Sequence, residues 1–130
     1  MWGNRKSKEL RNAERRLNDY LSSAKRLLDA PYATDTILTT LEKAEQLSAQ
    51  TGIAIPELQE LNMRAYQKAV DYQLDVGRQG LSHVEPWVTA DCIEELQRHL
   101  IEGKLPVPDE FFELRDAHER HRYAANKAAA

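Results

Sequence analysis

With 130 residues, five Gly, five Pro, 42% hydrophobic and 30% charged residues, the chain reads as one compact, helix-leaning domain, 1–130, and not as a disordered segment. A net charge of −3 is too small to name a partner, and a single cysteine, Cys92, excludes an internal disulfide and suits a reducing compartment. No apolar run reaches the roughly 18 residues of a membrane span, and the basic N-terminus lacks a secretory apolar stretch, so a cytoplasmic protein is expected.

The first helix is expected over about 6–30. Leu10, Ala13, Leu17, Tyr20, Ala24 and Leu27 alternate by three and four, the spacing of a coiled-coil seam, and Leu10, Leu17, Tyr20 and Leu27 make it a candidate self-association face. Lys8, Arg11, Arg15 and Arg26 cluster on the opposite side as a candidate basic interaction face. No aromatic residue is interleaved with them to stack single-stranded bases. Charge is uneven along the chain: residues 1–28 hold eight Lys/Arg against three Asp/Glu, a balance of +5, and the remainder holds ten against eighteen, −8. Such asymmetry steers an anionic partner to one end, or lets two ends of a fold attract each other. Pro31 ends the helix, since the residue before a proline avoids the helical region.

Thr34 or Asp35 can cap a second helix, about 35–51, with Ile37, Leu38, Leu41, Ala44 and Leu47 on its apolar side. Gly52 suits the left-handed position past its end, followed by apolar Ile53. Pro56 suits the first position of a third helix, 56–77. That helix carries two apolar stripes, one of Leu58, Leu61, Ala65, Ala69, Tyr72 and Val76, the other of Met63, Tyr66, Val70 and Leu74. A surface helix needs one stripe, so two predict a central helix that neighbours cover on most sides, Met63, Tyr66 and Val70 included. Gly77 and Gly80 bracket its end, and Val84 and Trp87 are expected to plug the end of the bundle. A fourth helix, about 89–102, is capped by Thr89, has Ile93, Leu96, Leu100 and Ile101 as its core face, and is closed by Gly103. Leu105, Pro106, Val107 and Pro108 form an extended linker. A fifth helix follows over about 109–126, in which Phe111, Leu114, His118, His121 and Ala125 alternate by three and four. The Ala-rich end from Ala124 is expected to fray.

Few residues carry recognisable chemistry. The stretch Ala44 to Leu61, with small Ser48, turn Gly52 and apolar Ile53, Ile55, Leu58 and Leu61, resembles a helix-turn-helix DNA-binding unit. The resemblance implies that the start of the third helix enters a major groove, with Gln59 and Arg64 as DNA contacts. Glu57 and Glu60 on that approach repel phosphates, and a glycine-capped helical hairpin accounts for the same residues. His118 and His121 stand three apart where a zinc-protease helix needs four, and no histidine has Glu three residues before it, as di-iron bundles require. A metal would need Cys92, His83 or His99 brought in by folding, so none is expected. Cys92 near a helix start can favour a thiolate, but the neighbouring Ile93 and Leu96 point to a buried, inert thiol. There is no phosphate loop, no Cys-x-x-Cys and no nucleophile elbow, and Glu94, Glu95, Glu113 and Asp116 fall at solvent-facing positions.

The expectation is an all-α, single-domain bundle of about five helices acting as a non-enzymatic protein-interaction module: an adaptor, inhibitor or regulatory accessory protein. Its partner is another protein or a second copy in a homodimer, with no cofactor, small-molecule substrate or membrane. A DNA-binding regulator using residues 44–64 is the alternative.

Overall fold

The computed structural model describes residues 2–31, 34–82 and 86–129, with side chains of the first few and last few residues outside the description. Five helices make the described chain all-α: α1 (Trp2–Leu28), α2 (Thr34–Thr51), α3 (Leu58–Ser82), α4 (Pro86–Glu102) and α5 (Asp109–Ala129). The chain divides into two compact units, residues 1–65 and 66–130, and the division falls inside α3.

In the first unit, Leu21 and Ala24 of α1, Ile37 and Leu41 of α2, and Leu61 and Ala65 of α3 form a buried core, with Leu27, Leu28, Leu38, Ile55 and Leu58 packed against it. α1 ends where the amides of Asp29 and Ala30 donate to the carbonyls of Arg26 and Leu27 at 3.2 and 3.1 Å, tightening the last turn before Pro31. α2 ends as expected on Gly52, whose φ is +74° and whose amide donates to the Ser48 carbonyl at 2.9 Å. The Ser48 hydroxyl donates to the Ile53 carbonyl, satisfying a backbone group of the connector. Pro56 lies in the turn before α3 and not at its first position, because the Leu58 amide still bonds back to Ile55 at 3.2 Å.

In the second unit the core is Val70 and Leu74 of α3, Leu96 and Leu100 of α4, and Phe111 and Leu114 of α5, with Leu81, Ile93 and Leu105 against it. Here α3 does not end at Gly77 but runs on to Ser82. Both glycines are buried, and they serve close approach instead of termination. A Cβ on Gly77 would come within 2.7 Å of Leu114 Cδ2, and one on Gly80 within 2.7 Å of Thr89 Oγ1. α4 correspondingly starts at Pro86, so Thr89 is no cap; it is fully buried and donates its hydroxyl to the Gly77 carbonyl at 3.4 Å. After α4 the left-handed position belongs to Lys104, with φ 51°, and not to Gly103. Gly103 is needed for a different reason: its Cβ would stand 2.7 Å from Tyr66 Cβ and Cγ.

The two apolar stripes of α3 therefore have an explanation other than one enveloping bundle. Leu61 and Ala65 of the first stripe bury in the first core, and Val70 and Leu74 of the second stripe bury in the second. Full coverage fails at Met63, which is 50% exposed, while Tyr66 is half-buried and Val70 fully buried. Two further core expectations are corrected. Trp87 is 65% exposed and plugs nothing, and Val84 lies outside the described residues. Ile101 is 77% exposed, because it sits about 100° round α4 from Leu100, and buried Cys92 takes a place on the core face instead.

Candidate protein-interaction surface

α1 has 27 residues and α2, which packs beside it, has 18, so α1 is longer by about 13 Å at 1.5 Å per residue. The excess shows in the exposure pattern. Every residue from Lys8 to Asn12 is exposed, Leu10 to 38%, and among the described side chains the first buried one is Ala13. From there Ala13, Leu17, Leu21 and Ala24 are buried, which puts Leu21 where the seam had Tyr20. Leu17, at 2% exposure, is employed inside the chain; Tyr20 and Leu27 are half-buried, and Leu27 packs on the first core. The hydroxyl of Tyr20 accepts from Arg16 at 3.3 Å.

The four basic residues Lys8, Arg11, Arg15 and Arg26 are all exposed. Arg26 donates to the Ser23 hydroxyl at 3.4 Å, a turn earlier on the same helix. Lys8, Arg11 and Arg15 lie within about 60° of one another on the helix and form a single stripe. Elsewhere in this unit Lys25 pairs with Glu57 at 2.9 Å across α1 and the start of α3. Gln59 and Arg64, the candidate DNA contacts, are exposed on the first turns of α3, as is Glu60.

In the second unit His118 is half-buried, with a buried Nδ1 that has no hydrogen-bond partner, and His121 is exposed. Among the described residues no group of three or more His, Cys, Asp or Glu could hold a metal ion. His83 lies outside the described residues. His99 is a core residue at 2% exposure, tilted against the Tyr66 ring, with Nε2 3.6 Å from Glu95. Glu95 keeps its side chain 41% exposed, at a solvent-facing position as expected, and it also pairs with Arg98. Cys92 is buried and free. Burial, then the charges of Asp91 and Glu95, push its thiol above the ordinary range, which suppresses the nucleophilic thiolate. Since α4 begins at Pro86, Cys92 lies past the first turn, where the helix dipole no longer helps.

One exposed surface escaped the sequence reading. α5 presents Asp109, Glu113 and Asp116 on one stripe, beside an open groove of about 610 Å³ lined by Glu113, Asp116, Glu119, Arg120 and Tyr123. Arg115 stacks over the exposed Phe112 ring at 5.1 Å and reaches Asp116 at 4.0 Å. The three-and-four spacing of these acids was visible in the sequence, but solvent-facing carboxylates on a helix are ordinary until a complementary surface is identified. Among the described residues no helix is long and apolar enough to cross a membrane. No protein-family model, curated protein or solved structure matches the chain.

Proposed function

We propose that the chain is a non-enzymatic helical protein-interaction module, an adaptor, inhibitor or regulatory accessory protein, which binds an acidic protein surface through the exposed N-terminal stretch of α1. The observation that carries this reading is the mismatch between α1 and its cover: Lys8, Arg11 and Arg15 stand exposed beside Leu10, on helix that runs beyond Ala13, the first buried residue among the described side chains. A cationic stripe on a rigid rod steers and orients an anionic partner. The free, buried Cys92 supports a reducing compartment such as the cytoplasm. Affinity capture with the native chain and with Lys8→Glu/Arg15→Glu tests the proposal. Partners held by the first and lost from the second are expected; an identical set from both overturns it.

DNA binding through residues 44–64 is the second reading. It is supported by the exposure of Gln59 and Arg64 and by the Lys25–Glu57 pair, which offsets one of the two carboxylates on that approach. Duplex binding that falls steeply with salt and weakens in Arg64→Ala is its expected signature. No binding at low salt eliminates it.

A further inference from the structure

We propose that the basic stripe of α1 docks against the acidic stripe of α5 in a second copy of this chain, the two helices running antiparallel. The inference rests on the reading of α1 as the binding face. Its ground is a match of charge and spacing between two surfaces that are both exposed.

The cations fall at Lys8, Arg11 and Arg15, in steps of three and then four. The acids fall at Asp109, Glu113 and Asp116, in steps of four and then three. Reversing the direction of one helix superposes the two patterns, so Lys8 meets Asp116, Arg11 meets Glu113 and Arg15 meets Asp109. Each triplet spans seven residues, about 10.5 Å, and each lies within about 60° of arc, so all three pairs form along one line of contact. A parallel arrangement brings at most two of the three pairs into register: Lys8 on Asp109 with Arg15 on Asp116, or Lys8 on Glu113 with Arg11 on Asp116, which stacks Arg15 on Arg120. In the antiparallel register the neutral Asn12 faces Phe112, and the groove beside Glu113 and Asp116 leaves the flank of α5 open to a neighbouring helix. The 4.0 Å contact of Asp116 with Arg115 is long enough to yield to a closer cation. The proposed assembly is the reciprocal one, α1 of each copy on α5 of the other, which is by definition two-fold.

Exposed ion pairs are screened over a Debye length of about 10 Å at 0.1 M salt, so the association is weak and sensitive to ionic strength. Sedimentation velocity of the full chain reads this directly. A dimer is expected at roughly 0.05 M salt, with the association constant at least about tenfold lower at roughly 0.5 M. Lys8→Glu/Arg15→Glu and Asp109→Lys/Asp116→Lys, which reverse the two sides of the same two pairs, are each expected to be monomeric and to keep the helical signal of the parent. Their equimolar mixture regains the dimer, because one brings two negative faces and the other two positive ones. A parent chain monomeric at both salts, a dimer indifferent to salt, or a mixture that stays monomeric overturns the inference. If the parent is monomeric yet captures another protein that Lys8→Glu/Arg15→Glu loses, the second-copy assignment falls and the reading of α1 stands. If the dimer and all captured proteins survive that double variant, both fall.

Discussion

Gly103→Ala tests the packing of the second unit at a defined point. The added methyl would sit 2.7 Å from Tyr66 Cβ and Cγ and 2.9 Å from the His99 carbonyl oxygen. None of these is the free end of a flexible side chain: Cβ and Cγ of Tyr66 are held close to α3, and the carbonyl belongs to the last turns of α4. Relief must come from moving backbone, which costs about 1–3 kcal/mol for overpacking of this kind. The substitution also stiffens the unfolded chain, a gain of about 0.4–1 kcal/mol. The midpoints leave a net loss of about 1.3 kcal/mol, within a span of about 0–2.6. At the midpoint that lowers the melting temperature of a unit of this size by about 5–10 °C. Gly77→Ala supplies the contrast. Its closest contact is the terminal methyl of Leu114 at 2.7 Å, which can turn aside, and a mid-helix glycine replaced by alanine regains up to about 1 kcal/mol of helix propensity. Urea titrations followed by far-ultraviolet circular dichroism should therefore rank Gly103→Ala below Gly77→Ala. A Gly103→Ala protein as stable as its parent would refute the close approach of Tyr66 on which the reasoning depends.

Leu17→Ala should destabilise the first unit by about 2–5 kcal/mol, since the side chain is 2% exposed, whereas Leu10→Ala should stay within about 0.5 kcal/mol. Urea midpoints compare the two, and equal losses would mean that the α1 seam is not divided at Ala13. Ile101→Ser, at a residue 77% exposed, should leave stability within about 0.5 kcal/mol of the parent; a larger loss would show that this side chain is covered after all. Cys92 should react slowly with a thiol reagent at pH 8 in the native protein and quickly in urea, and rapid native modification would contradict its burial. Its folded thiol titrates above the unfolded one, so its contribution to stability is complete below about pH 8.5 and is lost as pH rises through the higher folded value. Cys92→Ala should remove that part of the alkaline loss in a comparison of urea midpoints from about pH 8 to 10, and identical slopes would rule it out.

Local physics was legible in the linear chain. Apolar residues three and four apart marked all five helices, Pro31 and the 105–108 linker marked two breaks, and Gly52 marked the only left-handed glycine cap among the described residues. These signals are local because they depend on residues within a turn or two of each other. The basic stripe at Lys8, Arg11 and Arg15 was legible for the same reason, and those side chains are exposed as their spacing implied. Tertiary structure decided what no single helix encodes. Gly77 and Gly80 look like helix stops, yet α3 continues through them because Leu114 and Thr89 occupy the space a side chain would need. The two stripes of α3 read as one enveloped helix, but they serve two cores, and a helical wheel carries no information about which neighbour meets which stripe. Burial of His99 and exposure of Ile101, two residues apart in α4, reverse what polarity alone would assign. Residue spacing specifies which side chains share a face; only packing among distant segments specifies which faces are covered, because burial depends on a neighbour the local sequence does not contain.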